Sequence, residues 1–106
     1  DLDLGVPAGA EAGFRHPAVV ATAQRILDAS PRVIQVVPLT TTIRRFGSEV
    51  VIEPDPNNGL RQTSAAQCQH IRAVSTERVE RVRGNIGPFA LAQVRDTLAL
   101  ILDLPS

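Results

Sequence analysis

The residues best suited to chemistry fall into three groups. Thr40, Thr41 and Thr42 form a hydroxyl triplet directly after the run Arg32-Val33-Ile34-Gln35-Val36-Val37-Pro38-Leu39. Hydroxyls delivered at the exit of a rigid strand can hold a polar ligand, because a site on a rigid element is better placed than one on a loop. Threonine also favours strands by propensity, so the triplet equally suits a structural role. His16 stands before Pro17, and the residue ahead of a proline is pushed into extended geometry. Imidazole titrates near neutrality in its reference state, which suits proton transfer, although a histidine at a strand start is also an ordinary hydrogen-bonded residue. The third group is arginine. All eleven basic residues are Arg, and positions 15–45 hold Arg15, Arg25, Arg32, Arg44 and Arg45 against Asp28 alone. The guanidinium fork matches phosphate oxygens, so this stretch can bind phosphates; a composition without Lys whose arginines are simply solvated is the alternative.

These groups need elements to carry them. The Val- and Ile-rich run at 32–37 predicts a strand buried on both faces, which Pro38 ends because it has no N–H for a ladder. Asp1 to Leu4 alternates acid and Leu and reads as the end of a strand whose start is absent. Residues 5–13 form a loop of small residues, and 14–21 a strand entered at Pro17. Residues 22–30 are a short helical or irregular connection that Pro31 stops. Residues 43–48 form a loop with Arg44 and Arg45 at its tip, 49–53 a strand, and Pro54 to Gly59 a turn. Residues 64–74 read as another, bent strand, followed by a short helix capped by Ser75. A last short strand is expected at 82–86. Gly87-Pro88 then opens a helix with an apolar face of Phe89, Leu91, Val94, Leu98, Ile101, Leu102 and Leu104, stopped by Pro105. Short strands followed by one terminal helix predict an α+β, mainly β fold: a small barrel or curled antiparallel sheet with helical decoration.

The totals bound the rest. A chain of 106 residues is expected to be one domain, 1–106, with one modest core. It contains no Met, so some N-terminal sequence is expected to be missing. No stretch approaches a membrane span, and no signal peptide is visible. A lone Cys excludes an intrachain disulfide, argues against zinc and favours a cytoplasmic setting. Cys68 reads as a small core residue and His70 as a partly buried, hydrogen-bonded one. Net charge is zero, yet residues 1–14 carry only acids: Asp1, Asp3 and Glu11.

Glu11 spaced before Pro17-Ala18-Val19-Val20, then Val36-Val37-Pro38-Leu39-Thr40-Thr41, then Gln67-Cys68-Gln69-His70-Ile71-Arg72 and a closing helix together resemble the MazF/PemK toxin endoribonucleases. The resemblance covers nearly the whole chain, with the first strand largely missing. It implies an SH3-like barrel of the CcdB/MazF type, a homodimer, and metal-independent, cofactor-free cleavage of single-stranded RNA at short sequences. It also implies inhibition by a cognate MazE-like antitoxin, whose acidic segment would compete with RNA for arginines. The family's threonine after Pro-x falls on Thr40 and the next hydroxyl residue on Thr41, while its loop glutamate falls on Glu11. Where the family has an arginine directly before the proline, this chain has His16, with Arg15 one position earlier. Where some members have an arginine and an aspartate around the Cys, it has Gln67 and Gln69.

Metal-free cleavage needs a proton taken from the 2′-hydroxyl, stabilisation of phosphorane charge and help for the leaving 5′-oxygen. His16 can act as general base or acid, whereas Arg15 can only stabilise charge. Thr40 and Thr41 can donate to phosphate oxygens, and Gln67 and Gln69 suit the reading of base edges. Arg44, Arg45 and Arg72 are candidate phosphate contacts, Arg72 alternatively bracing a loop. Arg15 and His16 should point to opposite sides of an extended chain. Aromatic platforms for stacking bases are limited to Phe14 and Phe46 in loops. Two other readings stand beside this one. The first is a non-enzymatic gyrase-binding toxin of the CcdB type, although the C-terminal Trp-Gly tail associated with it is absent. The second is a catalytically weakened RNA-binding module, suggested by the substitutions at 16, 67 and 69.

Overall fold

The computed structural model describes residues 2–4 and 16–105, with side chains left out of account at 2–4, 16, 80 and 81. In order, the elements are β1 (Leu2–Leu4), β2 (His16–Val20), α1 (Gln24–Leu27), β3 (Val33–Thr40), β4 (Glu49–Ile52), β5 (Ser64–Gln67), β6 (Arg72–Ser75), β7 (Val79–Val82) and α2 (Gly87–Ile101). Single turns of 3-10 helix at Cys68–His70 and Thr76–Arg78 link β5 to β6 and β6 to β7. All pairings are antiparallel, in the order β4-β5-β3-β2-β1-β7, with β6 also on β3. The mainly β architecture with a terminal helix is the one expected. Among the described residues the ladder does not close into a barrel: β4 and β7 stand at its two ends.

β3 is the axis of the sheet, and it departs from expectation at Pro38, which lies inside the strand instead of ending it. The reason is where its missing N–H points. Gln35 directs both its N–H and its C=O toward β2, bonding the Thr22 hydroxyl and the Ala21 N–H. Backbone groups alternate sides along a strand, so Pro38 faces the opposite flank. There, β6 pairs with Val33 to Val36, and β5 pairs with Leu39 and Thr40. Pro38 occupies the junction, level with Gln67, and offers that residue no donor. The flanking chain therefore leaves the ladder at Gln67, makes the Cys68–His70 turn and re-enters as β6. The segment 64–74 is two strands along one side of β3, bent at the proline.

β3 also divides the core. Val37 and Leu39 join Val19, Val50, Ile52, Ala66, Cys68, Val94 and Leu98 beneath α2. Ile34 and Val36 pack with Ala18 and Val74 on the other face. Burial on both faces holds only from Val36 to Leu39, since Val33 and Gln35 are exposed where α2 does not reach. Each fully buried valine at this crossing contributes about 1.5–3 kcal/mol.

Several boundaries differ from the sequence reading. The last strand is Val79–Val82, not 82–86, because Asn85 N–H turns to the carbonyl of Asn57. Gly84, at φ 153°, lies so close to that carbonyl that a Cβ would collide with it. Helix α2 ends at Ile101, before Pro105. Asp103 turns left-handed at φ 54°, with Leu104 N–H on Ala99 O and Asp103 N–H on Leu100 O, a Schellman ending. Its packed face is narrower than the periodicity suggests: Val94 and Leu98 are buried, while Phe89, Leu100, Leu102 and Leu104 are exposed. Ser75 accepts from Glu77 N–H and caps the second 3-10 turn, as expected.

The turn after β4 is held by one buried amide. Asn58 Oδ1 accepts from Asp55 N–H and Leu60 N–H, and its Nδ2 donates to Glu53 O. Asp55 Oδ1 reciprocates by accepting from Asn57 and Asn58 N–H. With Asn58 wholly buried, Asn58→Ala strands these groups and is expected to cost about 2–4 kcal/mol. The check is a lower urea midpoint at unchanged slope.

Candidate RNA-binding face

Register places the candidate residues. In β3, Ile34 and Val36 look away from α2, so Pro38 and Thr40 share that face. Thr40 is opposite Ala65, which is opposite Val51. One step of two residues back along the strands, Gln67 stands at the level of Pro38 and opposite Glu49. A further step back, Arg72 of β6 is opposite Val36. Thr40, Gln67, Glu49 and Arg72 therefore lie on one face of the sheet, on three successive levels that span about 14 Å at strand rise. Thr40, Gln67 and Glu49 are half-buried and Arg72 is exposed.

Other predicted residues sit at the margins of this face. Thr41 is exposed just past the end of β3, and Gln69 is exposed in the turn that Pro38 sets off. Arg44 and Arg45 are exposed in the loop joining β3 to β4, next to exposed Phe46. His16 opens β2, with its backbone opposite Leu4 of β1. The register that matches Ala18 with Pro38, carried two residues on, brings the His16 backbone level with Thr40. Its side chain, and all of Glu11, Phe14 and Arg15, lie outside the described residues. His70 is exposed and not partly buried, because the 3-10 turn carries it away from the sheet.

The hydrogen bonds define what these groups can do. Thr40 Oγ1 accepts from Thr42 N–H at 3.1 Å. That fixes the oxygen and leaves the hydroxyl proton to be donated, as a phosphate oxygen requires. Glu49, which residue types alone place only as the start of a strand, proves to organise the loop. Its Oε1 accepts from Arg44 N–H at 3.1 Å and Arg45 N–H at 2.9 Å. Just beyond the second of these amides the chain turns left-handed, with Arg45 at φ 57°, a geometry that costs a non-glycine residue about 1–2 kcal/mol. Glu49 Oε2 is buried and has no hydrogen-bond partner among the described residues. An acid four and five residues after two arginines gives no distinctive signal in the sequence, since it equally suits a strand start.

With this arrangement established, comparison with known proteins decides the family. Residues 2–102 match the family described as PemK-like, MazF-like toxin of type II toxin-antitoxin system. The chain belongs to that family. It is 36% identical over 107 residues to the Endoribonuclease MazF9 of Mycobacterium tuberculosis, covering 97% of this chain and 91% of that protein. Among solved structures, the Mycobacterium tuberculosis toxin MazF-mt6 superposes with a TM-score of 0.77 at 20% identity, covering 100% of both chains. An endoribonuclease in complex with its cognate antitoxin, from a mycobacterial species, gives 0.78 at 19%, covering 99% of this chain and 92% of that one. MazF from Deinococcus radiodurans gives 0.70 at 25%, covering 97% and 90%.

Within this family member, Cys68 lies between the two glutamines yet takes no part in the face. It is fully buried under α2, and burial pushes its thiol from 9.0 up to about 11. The native thiol is thus neutral at pH 8 and should resist a disulfide reagent until the protein unfolds, which a thiol-release time course in buffer and in urea would check. Because the folded pKa is raised, the stability linked to this group is complete below pH 9 and declines as pH rises toward 11.

Proposed function

We propose that this chain is a toxin endoribonuclease of a toxin–antitoxin pair, cleaving single-stranded RNA without a metal on the face that carries Thr40. The observation that carries the reading is the convergence of Thr40, Gln67 and Arg72 on one sheet face, opposite the helix, in a MazF-like chain. The 2′-hydroxyl loses its proton and attacks phosphorus, leaving a 2′,3′-cyclic phosphate as the 5′-oxygen departs with a proton. Thr40 donates to a non-bridging phosphate oxygen, with Thr41 beside it. Arg72, Arg44 and Arg45 bind phosphates, while Gln67, Gln69 and Glu11 meet bases and sugar. His16 is the proton-transfer group, and Arg15 supports affinity. Register favours His16 over Arg15, since the β2–β3 pairing brings position 16 level with Thr40.

The test is cleavage of a single-stranded transcript by purified protein with and without EDTA. Equal cleavage in both supports the reading, whereas no cleavage in either favours an RNA-binding module. Gyrase inhibition without RNA cleavage would favour the CcdB type. His16→Ala should lower the rate about a hundredfold or more and remove a histidine limb from the pH profile. Arg15→Ala should act mainly on affinity. The reverse order of damage would make Arg15 the catalytic residue.

The relative bound to its antitoxin supports a partner of the same kind here: a MazE-like antitoxin whose acidic segment meets the same arginines. No described helix is long and apolar enough to cross a membrane, and we place this pair in the cytoplasm. Phe89 (77% exposed), Leu100 (78%), Leu102 and Leu104 line the outside of α2 and its end, and large apolar side chains grouped in this way mark an association surface. A second copy covers it in this reading. Light scattering at micromolar concentration should return a dimer, and a monomer would count against it.

A further inference from the structure

The carboxylate of Glu49 is the polar group on this face without an assigned task. Its backbone is fixed, because it lies on β4 opposite Gln67 and donates its N–H to Phe46 O at 3.0 Å. The carboxylate therefore projects from a rigid strand, and the loop 41–48 is the part it can arrange. One oxygen gathers two consecutive amides, those of Arg44 and Arg45, which extended chain does not allow because successive N–H groups point to opposite sides. The chain is therefore bent at Arg44, and it continues left-handed at Arg45. Its other end is pinned by Thr40, whose hydroxyl oxygen accepts from Thr42 N–H. Only Ile43 separates Thr42 from Arg44, a reach of at most about 7 Å over two residue steps. The arginine backbone is thus tied to the threonine of the site on one side and to Glu49 on the other.

Stability alone does not account for an acid here. A glutamine oxygen would accept the same two amides and put a neutral amide, not a charged oxygen, where Oε2 lies buried without a hydrogen-bond partner among the described residues. What the charge adds is strength, since a carboxylate makes both bonds charge-assisted and holds the loop tighter. We propose that Glu49 is a positioning residue for RNA: by fixing the backbone of Arg44 and Arg45, it sets both guanidinium groups at the edge of the Thr40 face, where they bind phosphates flanking the scissile one. The inference rests on the ribonuclease reading above.

The experiment measures KM, kcat and the salt dependence of RNA binding for Glu49→Ala and Glu49→Gln, each alone and combined with R44A/R45A. The substrate is a long single-stranded transcript, and binding is read by anisotropy with a labelled single-stranded RNA oligonucleotide. Glu49→Ala is expected to raise KM about fivefold or more while kcat changes less than about twofold. The slope of log affinity against log salt should flatten by about 0.7 for each phosphate that an arginine no longer neutralises. Glu49→Gln, which keeps the acceptor but not the charge, should recover only part of the KM, leaving it between wild type and Glu49→Ala. In the R44A/R45A background, Glu49→Ala should add less than about twofold, because its effect travels through those arginines. Effects that multiply in that background, a fall in kcat at constant KM, or a lower unfolding midpoint with unchanged KM and salt slope would each overturn the proposal while wild-type cleavage stands. If the wild-type protein neither cleaves nor binds RNA, the ribonuclease reading fails and the proposal with it.

Discussion

The missing N–H of Pro38 is the constraint on which the rest of this structure depends. A proline in a central strand normally breaks a ladder. Here it stands where the ladder must break, at the point where the flank of β3 passes from β6 to β5. One strand of eight residues can then serve three neighbours. The bend it imposes at Gln67 to His70 also places Cys68 under α2, so the same event that splits the flanking strand seats the helix. The Cys68–His70 turn is the part of that flank on which α2 rests, with Cys68 and Val94 in one cluster.

The polar face follows from parity. Side chains alternate across a strand, so once Val37 and Leu39 are committed to the core beneath α2, Pro38 and Thr40 must look the other way. Thr40 is the last residue of that alternation, and its hydroxyl oxygen is occupied locally as an acceptor, with its proton given to none of the described residues. The loop that follows is largely exposed, and hydrogen bonds hold it at its two ends. Arginine side chains on such a loop are useful to an anionic ligand only if their backbone is held, because long side chains already lose much rotamer entropy on binding. The carboxylate of Glu49 is what holds it.

Much of the architecture is legible from residue types. Strand positions come from β-branched runs, the loop and turn from Gly, Pro, Asn and Asp, and α2 from Gly87-Pro88 and its apolar spacing. The resemblance to MazF-like toxins rests on short motifs in a fixed order, and the family match covers the same span. Sequence and structure part where a local rule meets a tertiary partner. Local rules make Pro38 a strand end, because propensity carries no information about which side of a strand lacks a neighbour. They make 82–86 a strand, because the backbone partner of Asn85, Asn57, lies in a distant turn. They half-bury His70, because alternation is carried through a bend that resets it.

For the site, sequence alone determined the inventory: hydroxyls after a buried strand, arginines in the following loop, glutamines around a cysteine, a histidine before a proline. These follow from side-chain chemistry and short-range spacing, which the chain carries everywhere it goes. Only the tertiary structure decided that Thr40, Gln67 and Arg72 share a face and that Glu49 joins them, since strand register is fixed by which apolar side chains pack together. The role of Glu49 is invisible in one dimension for the same reason. Its two backbone partners are neighbours in sequence, but the bend at Arg44 that aims both at one oxygen meets Glu49 only once β3 and β4 are docked on β5.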